Sequence, residues 1–413
     1  MAKRVFITGI GAISPIGHGT GPTWEAMIHG ESGAGPITRF DSSEHRTHFA
    51  CEVKDFDPTV YMDRKDAKRM DLFAQFAMAS AVEAVEQASI DFDSVDPDRI
   101  GVVYGSGMGG MMIYEQSWQK LEKSGPSRIS PLFIPMLIGD IIPGHISMRY
   151  NFKGPNYGVQ SACATSSHAL GLAMMHLRAG DADMMVTGGS EAPLTRLGAA
   201  GFNSARTLST RNEDPLAASR PFDKGRDGFV MAEGAATFVL ETEEHARARG
   251  ATIFGELAGY GFTGDAHHLT APAPDHEGAQ RSMRIAMKNA GVEPSDVDYI
   301  NAHGTSTELN DLNETIAIKK VFGDHARVAS ISSTKSMTGH MLGAAGAIEL
   351  FACVMALREG VIPPTINYET PDPQCDLDYT PNTAVKREVK IAMSNTFGFG
   401  GHNASLIVKR VNN

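Results

Sequence analysis

Short apolar runs alternate with helix-spaced stretches along the whole chain, and this alternation restricts the fold more than any other feature. Strand candidates are Arg4–Thr8, Ile100–Tyr104, Met184–Thr187, Ala236–Leu240, Tyr299–Ala302, Val328–Ser332, Ile391–Ser394 and Ser405–Lys409. Helical patterns fall between them, at Lys68–Gln87, Thr165–Ala179, Gly278–Ala290, Asp311–Phe322 and Gly346–Arg358. In the second of these, Leu170, Met174 and Leu177 recur at helical spacing and Gly180 stops the run. In the last, Ile348, Phe351, Ala352 and Met355 share a face, and Gly360 with Pro363 and Pro364 ends it. Strands separated by helices predict an α/β architecture with largely parallel sheets. A strand with a glycine turn opens the chain at Val5–Gly11, and a similar piece recurs at Ile253–Gly261, which hints at an internal duplication.

The totals narrow the function classes. With 413 residues, 42% hydrophobic and 21% charged, the chain is long enough for two compact units or one large layered domain. A formal charge of −11 argues against nucleic-acid binding. Cys51, Cys163, Cys353 and Cys375 are widely spaced without a CxxC pair, which argues against a zinc site or a disulfide framework and fits a reducing cytoplasm. Lys3 and Arg4 precede an apolar run, but Gly9, Gly11, Pro15 and Gly17 break it, so it reads as a strand and turn rather than a signal peptide. No apolar stretch reaches the ~18 residues that a membrane helix needs.

Four stretches could carry chemistry. In Ser161-Ala162-Cys163-Ala164-Thr165-Ser166-Ser167 a cysteine sits among small residues just before a helix. Unpaired N–H groups at the helix N-terminus favour thiolate, and about 1.4 kcal/mol there would raise the ionised fraction at pH 7 from ~3% to about a quarter. Cys353 and Cys375 read as core cysteines. In Asn301-Ala302-His303-Gly304-Thr305-Ser306-Thr307 an apolar strand runs into a histidine and a glycine turn, the place where α/β folds put their reactive groups. A structural, hydrogen-bonded histidine is the alternative. In Lys335-Ser336-Met337-Thr338-Gly339-His340 a lysine and a histidine precede a helix rich in small residues. The helix end would keep His340 neutral. Glu349 lies inside that helix and needs a partner, for which Lys335 is the obvious candidate. Finally, Asn395-Thr396-Phe397-Gly398-Phe399-Gly400-Gly401-His402-Asn403 offers glycines whose backbone N–H groups could face an oxyanion; a tight turn plugged by aromatics is the alternative.

Two further glycine loops, Gly9-Ile10-Gly11 and Gly105-Ser106-Gly107-Met108-Gly109-Gly110, follow strands as a dinucleotide loop would. Neither has an acidic ribose partner at the expected distance. No HExxH, GxxxxGK[ST] or GxSxG motif occurs.

Taken together, VFITGIGAISPIG, GSGMGG, SACATSSHAL, RPFDKGRDGFVMAEGA, INAHGTST, STKSMTGHMLGAAGAIE and NTFGFGGHN resemble the elongating β-ketoacyl-[acyl-carrier-protein] synthases end to end. The resemblance implies a thiolase-like fold of five layers, αβαβα, built from two similar halves. It places the nucleophilic cysteine in residues 1–250 and both catalytic histidines in residues 251–413, and it implies a homodimer without a redox or organic cofactor. It implies that Cys163 takes an acyl group from acyl carrier protein. His303 and His340 would then stabilise the enolate left when malonyl-carrier loses CO2. The backbone N–H groups of Cys163 and Phe399 would hold the oxyanion, and Lys335 and Glu349 would organise the histidines. Thr270, Thr305 and Thr307 would hold the phosphopantetheine arm. Met108 and Phe202 would line the acyl pocket, with Phe399 as its gate between Gly398 and Gly400. A branched aliphatic often stands at Met108 in such enzymes, and a threonine at His402. Arg64, Lys65, Lys68 and Arg69, extended by Arg128 and Arg206, resemble a docking patch for the acidic carrier; a solvated helix face is the alternative. Some relatives hold a structural monovalent cation at positions like Asn301, Glu349 and Asn395.

The competing expectations are a ketosynthase of a dedicated polyketide or specialised-lipid pathway, a non-catalytic chain-length partner, and a degradative thiolase. The chain-length partner is expected to lack the nucleophile. The thiolase needs a second catalytic cysteine, and Cys375 lies in a Pro/Asp-rich loop.

Overall fold

The computed structural model describes residues 3–411. Its ten main strands are β1 (Val5–Ser14), β2 (Ile100–Gly105), β3 (Asn156–Val159), β4 (Met184–Glu191), β5 (Gly234–Thr242), β6 (Gly255–Gly264), β7 (Tyr299–Asn301), β8 (Ser330–Ser332), β9 (Ile391–Gly398) and β10 (His402–Lys409). With the short Gly17–His18 strand they form a continuous sheet in the order β8-β7-β9-β10-β6-β1-β5-β4-β2-β3. The continuity rests on two residue pairs between β1 and β6, Phe6 with Glu256 and Ile7 with Gly255.

On either side of that join the two half-sheets repeat one another. Each orders its strands third-second-fourth-fifth-first in chain order. In each, the second strand is parallel to the third and fourth, while the fourth–fifth and fifth–first pairings are antiparallel. The expectation of largely parallel sheets is therefore corrected: each half is mixed. The fifth strand is reached from the fourth without a helical crossover packed on the sheet, so it enters from the opposite end. An apolar run in sequence carries no sign of its direction.

Four helices build the layers: α1 (Leu72–Ala88), α2 (Thr165–Ala179), α3 (Glu277–Ala290) and α4 (Ala345–Glu359). Helices α2 and α4 pack on each other and on strands of both halves, so they form a middle layer, whereas α1 and α3 cover the outer faces. This is the five-layered αβαβα arrangement. Because both faces of β4 are covered, all of Met184–Glu191 is buried, and the strand reads as a continuous run rather than an alternation. Left-handed glycines end both middle helices, Gly180 at φ 86° and Gly360 at φ 65°.

The duplication extends to packing. A Cβ on Gly11 would lie 2.0 Å from the Ser80 carbonyl oxygen of α1, and one on Gly261 would lie 2.0 Å from the Ser282 carbonyl oxygen of α3. The Gly9–Gly11 pair is thus a close-packing device inside a strand, not a nucleotide loop.

Candidate active site

Cys163 occupies a sharp turn. A single 3-10 turn, Ala162–Ala164, runs directly into α2, and Ala162 is left-handed at φ 50°. A non-glycine residue there stores roughly 1–3 kcal/mol. Thr165 holds the turn: its Oγ1 accepts from the Ser161 N–H at 2.8 Å and donates to the Ala162 carbonyl at 2.6 Å.

An imidazole from the other half faces this sulfur, and a second lies against the first. His340 Nε2 stands 3.1 Å from Cys163 Sγ. The backbone of His340 is fixed by its N–H on Val230 O (2.7 Å) and by Ala232 N–H on its carbonyl (3.0 Å). His303 leaves β7, and its ring lies 5.3 Å from that of His340, nearly perpendicular at 85°. The N–H groups of His303 and Gly304 both donate to Glu314, at 2.8 Å each.

Lys335 sits behind the histidines. Its Nζ donates to His303 Nδ1 (3.2 Å), to the His303 carbonyl (2.7 Å) and to Glu349. A charged donor on Nδ1 makes that nitrogen the acceptor, so His303 carries its proton on Nε2. His340 Nδ1, in contrast, is buried without a partner among the described residues, so nothing there fixes its tautomer. Glu349 also accepts from Thr396 Oγ1 at 3.3 Å, and Thr396 contacts Ser167 of α2 at 3.0 Å. The partner expected for Glu349 is therefore the one observed.

Burial dominates the electrostatics. It holds both imidazoles well below the usual histidine value, helped by the Lys335 charge and, at His303, by His340 and His276. It pushes the Glu349 carboxyl up to about 7 against the pull of Lys335. It also pushes the Cys163 thiol up to about 12, although Lys335 and the Phe399 backbone N–H pull the other way. Burial thus opposes the thiolate that the helix end would favour, and it holds both imidazoles toward the neutral form.

The remaining expected residues fall around this centre. Gly398 ends β9 against the turn, where a Cβ would lie 2.9 Å from Cys163 N; Phe399 follows half-buried, and Gly400 donates to the Leu269 carbonyl at 2.7 Å. Thr270, next to Leu269, is exposed and donates its N–H to His268. Thr305 and Thr307 bring their hydroxyls within 2.9 Å of each other. Met108 and Phe202 pack with Cys163 around Leu208, Met231 and Leu342. Phe202 meets Phe229, which meets His340 edge-on at 5.2 Å.

Arg64, Lys65, Lys68, Arg69, Arg128 and Arg206 are all exposed, and none forms an ion pair among the described residues. Arg206 lines a surface cavity of about 970 Å³ with Trp118 and Arg196 that touches none of Cys163, His303 or His340. Asn301, Glu349 and Asn395 are all buried at the expected cation position. Glu349 is taken by Lys335 and Asn395 Oδ1 by Ser405, which leaves Asn301 Oδ1 as the one oxygen of the three side chains with no partner.

Sequence reasoning missed Glu314 and Glu191. Glu314 fixes the His303 backbone, and Glu191 accepts four hydrogen bonds beside Met108. Both had a signal: Glu314 shares a helix face with Ala317, Ile318 and Val321, and Glu191 ends a fully buried strand. A carboxylate inside an apolar pattern needs a reason to be there.

The Beta-ketoacyl synthase, N-terminal domain family matches residues 2–246, and the Beta-ketoacyl synthase, C-terminal domain family matches residues 254–369. A 3-oxoacyl-[acyl-carrier-protein] synthase 2 of Staphylococcus aureus (strain COL) is 51% identical over 408 residues, covering 99% of this chain and 98% of that protein. The protein of the same name from Coxiella burnetii is 50% identical, covering 99% of both. Among solved structures, a beta-ketoacyl synthase from Burkholderia phymatum superposes with a TM-score of 0.93 at 34% identity, covering 99% of this chain and all of that one. A type II polyketide ketosynthase solved with its acyl-carrier protein gives 0.92 at 34% identity over the whole of both chains. The chain belongs to the beta-ketoacyl synthase family.

Proposed function

We propose that this chain is an elongating 3-oxoacyl-[acyl-carrier-protein] synthase, and that the Cys163–His340 contact at 3.1 Å, with His303 facing the same space, is its reacting centre. In the first stage the Cys163 sulfur attacks a carrier-bound acyl thioester. The thiol proton passes to His340 Nε2 and then to the leaving carrier thiolate, so the stage ends with acyl-Cys163 and a free carrier thiol. The N–H groups of Cys163 and Phe399 face the developing oxyanion. In the second stage malonyl-carrier loses CO2. His303, held as an Nε2–H donor by Lys335, and His340, free to adopt the same tautomer, donate to the enolate oxygen. The enolate carbon attacks acyl-Cys163, the thioester bond to the sulfur breaks, a 3-oxoacyl-carrier two carbons longer is released, and the departing Cys163 thiolate takes one proton from solvent to return to the thiol. Neutral imidazoles suit this step, because an imidazolium would have to be desolvated in a buried site.

The unpaired basic cluster from Arg64 to Arg69 supports docking of an acidic carrier, with Thr270, Thr305 and Thr307 along the arm's path. Exposed Trp118 (55%), Ile134 (56%) and Met148 (70%) are apolar surface that a homodimer would cover. No helix among the described residues is long and apolar enough to cross a membrane. All four cysteines are free, which supports a cytoplasmic setting.

The test is product analysis with acyl- and malonyl-carrier. Release of CO2 with one 3-oxoacyl-carrier lengthened by two carbons supports the reading, and malonyl-carrier recovered unchanged contradicts it. A poly-3-oxo product grown by repeated cycles would favour a dedicated polyketide ketosynthase. Curated relatives at 51% identity over 99% of the chain, against 34% for the type II polyketide ketosynthase, favour the fatty-acid reading.

A further inference from the structure

Glu191 ends β4 with its side chain fully buried, and no cation pairs with it among the described residues. Four donors satisfy it instead. Oε1 accepts from Ser106 Oγ (3.0 Å) and the Met108 N–H (3.1 Å); Oε2 accepts from the Gly107 N–H (2.7 Å) and the Gly343 N–H (3.0 Å). Three of these donors lie on the loop leaving β2, and the fourth lies at the start of the turn into α4. Both loops end in the same apolar cluster, which Cys163 also joins: the first contributes Met108, and the second contributes Leu342, two residues after His340. The two loops touch at glycines, since a Cβ on Gly343 would lie 2.4 Å from Gly107 N. Among the described residues no hydrogen bond joins the two loops directly, so the carboxylate is the bridge.

We propose that Glu191 is a positioning residue that clamps the Met108 wall of the acyl pocket to the Leu342 wall, and so sets which acyl chain lengths load onto Cys163. The inference rests on the reading of Cys163 as the acyl acceptor. A carboxylate is suited to the task because it accepts at four points without donating. An amide of the same shape would aim an NH2 group at N–H donors and push one loop away. A displacement of Met108 by a fraction of an ångström changes the depth available to a hydrocarbon tail, and close-packed walls transmit it to Leu342.

The test is intact-mass measurement of loading rates for acetyl-, hexanoyl-, decanoyl- and palmitoyl-carrier. In Glu191→Gln the ratio of palmitoyl to hexanoyl loading is expected to shift by at least about threefold from wild type. Ser106→Ala, which removes one donor and keeps the carboxylate, should shift it in the same direction by less. It carries the test alone if Glu191→Gln does not fold. In a Met108→Ala background Glu191→Gln should add no further change in the ratio. Variants that load every chain in wild-type proportions, or that add independently to Met108→Ala, overturn the proposal and leave Glu191 a structural residue. A wild-type protein that loads no chain sinks the functional reading itself.

Discussion

The duplicated fold builds two helix-entry turns, and only one of them carries a cysteine. Ala162–Ala164 leads into α2 and Leu342–Ala344 leads into α4, with Ala162 at φ 50° and Leu342 at φ 45°. The same left-handed strain and the same run of N–H groups are present twice. At the next position one turn has Cys163 and the other Gly343. The strand that ends against the first turn finishes in Gly398, whereas the strand that ends against the second finishes in Glu191. In one half a carboxylate accepts from the Gly343 N–H at 3.0 Å; in the other no side chain stands at 398 to reach Cys163 N. Turn geometry and helix terminus are therefore shared by the two turns. They differ in the Cys163 side chain and in the missing internal acceptor.

The open turn also has the costlier surroundings. Lys335 and Glu349 are buried as a pair beneath it, and both histidines are kept neutral. Removing one partner, in Lys335→Ala, leaves a buried carboxyl and should destabilise the fold by about 3–5 kcal/mol, read as a fall in the unfolding midpoint. Lys335→Met with Glu349→Leu should recover most of that stability without recovering condensation. Converting the open turn into the closed one, in Gly398→Glu, should cut acyl-enzyme formation by about 10²–10³-fold, because the side chain enters the oxyanion position. Retained loading in that variant would break the comparison.

The histidines give a smaller, pH-dependent difference. Below pH ~6.5 the unfolded chain binds protons that folded His303 and His340 do not, so stability falls with acid by up to about 1.4 kcal/mol per pH unit for each. His303→Asn should flatten that slope in an acid-denaturation series. The smallest effect is expected on the surface of the cysteine-bearing half. Lys65→Glu with Arg69→Glu should raise KM for acyl-carrier about threefold at low salt, less at high salt, and leave kcat unchanged.

The sequence foreshadowed these features unevenly. Helix α2 was legible to the residue, because Thr165 and Gly180 bracket an unbroken apolar spacing. The Val5 and Ile253 pieces proved to be the first strands of matching half-sheets, but β3 escaped notice because Asn156–Val159 has no apolar run. Lys335 and Glu349 could be paired in advance, since a carboxylate within a buried helix needs a cation. Glu191 and Glu314 could not be matched to their partners, which are mostly backbone N–H groups, with the Ser106 hydroxyl, brought together only by the folded chain. In the same way a sequence shows the helix end beside Cys163 but not the desolvation that opposes it.

The most direct test of the account is peptide-resolved mass spectrometry after brief exposure to acyl-carrier thioester. The account predicts a single acyl group on the peptide containing Cys163, and none in Cys163→Ala. Acyl label on Cys51, Cys353 or Cys375, or label that survives in Cys163→Ala, would contradict it.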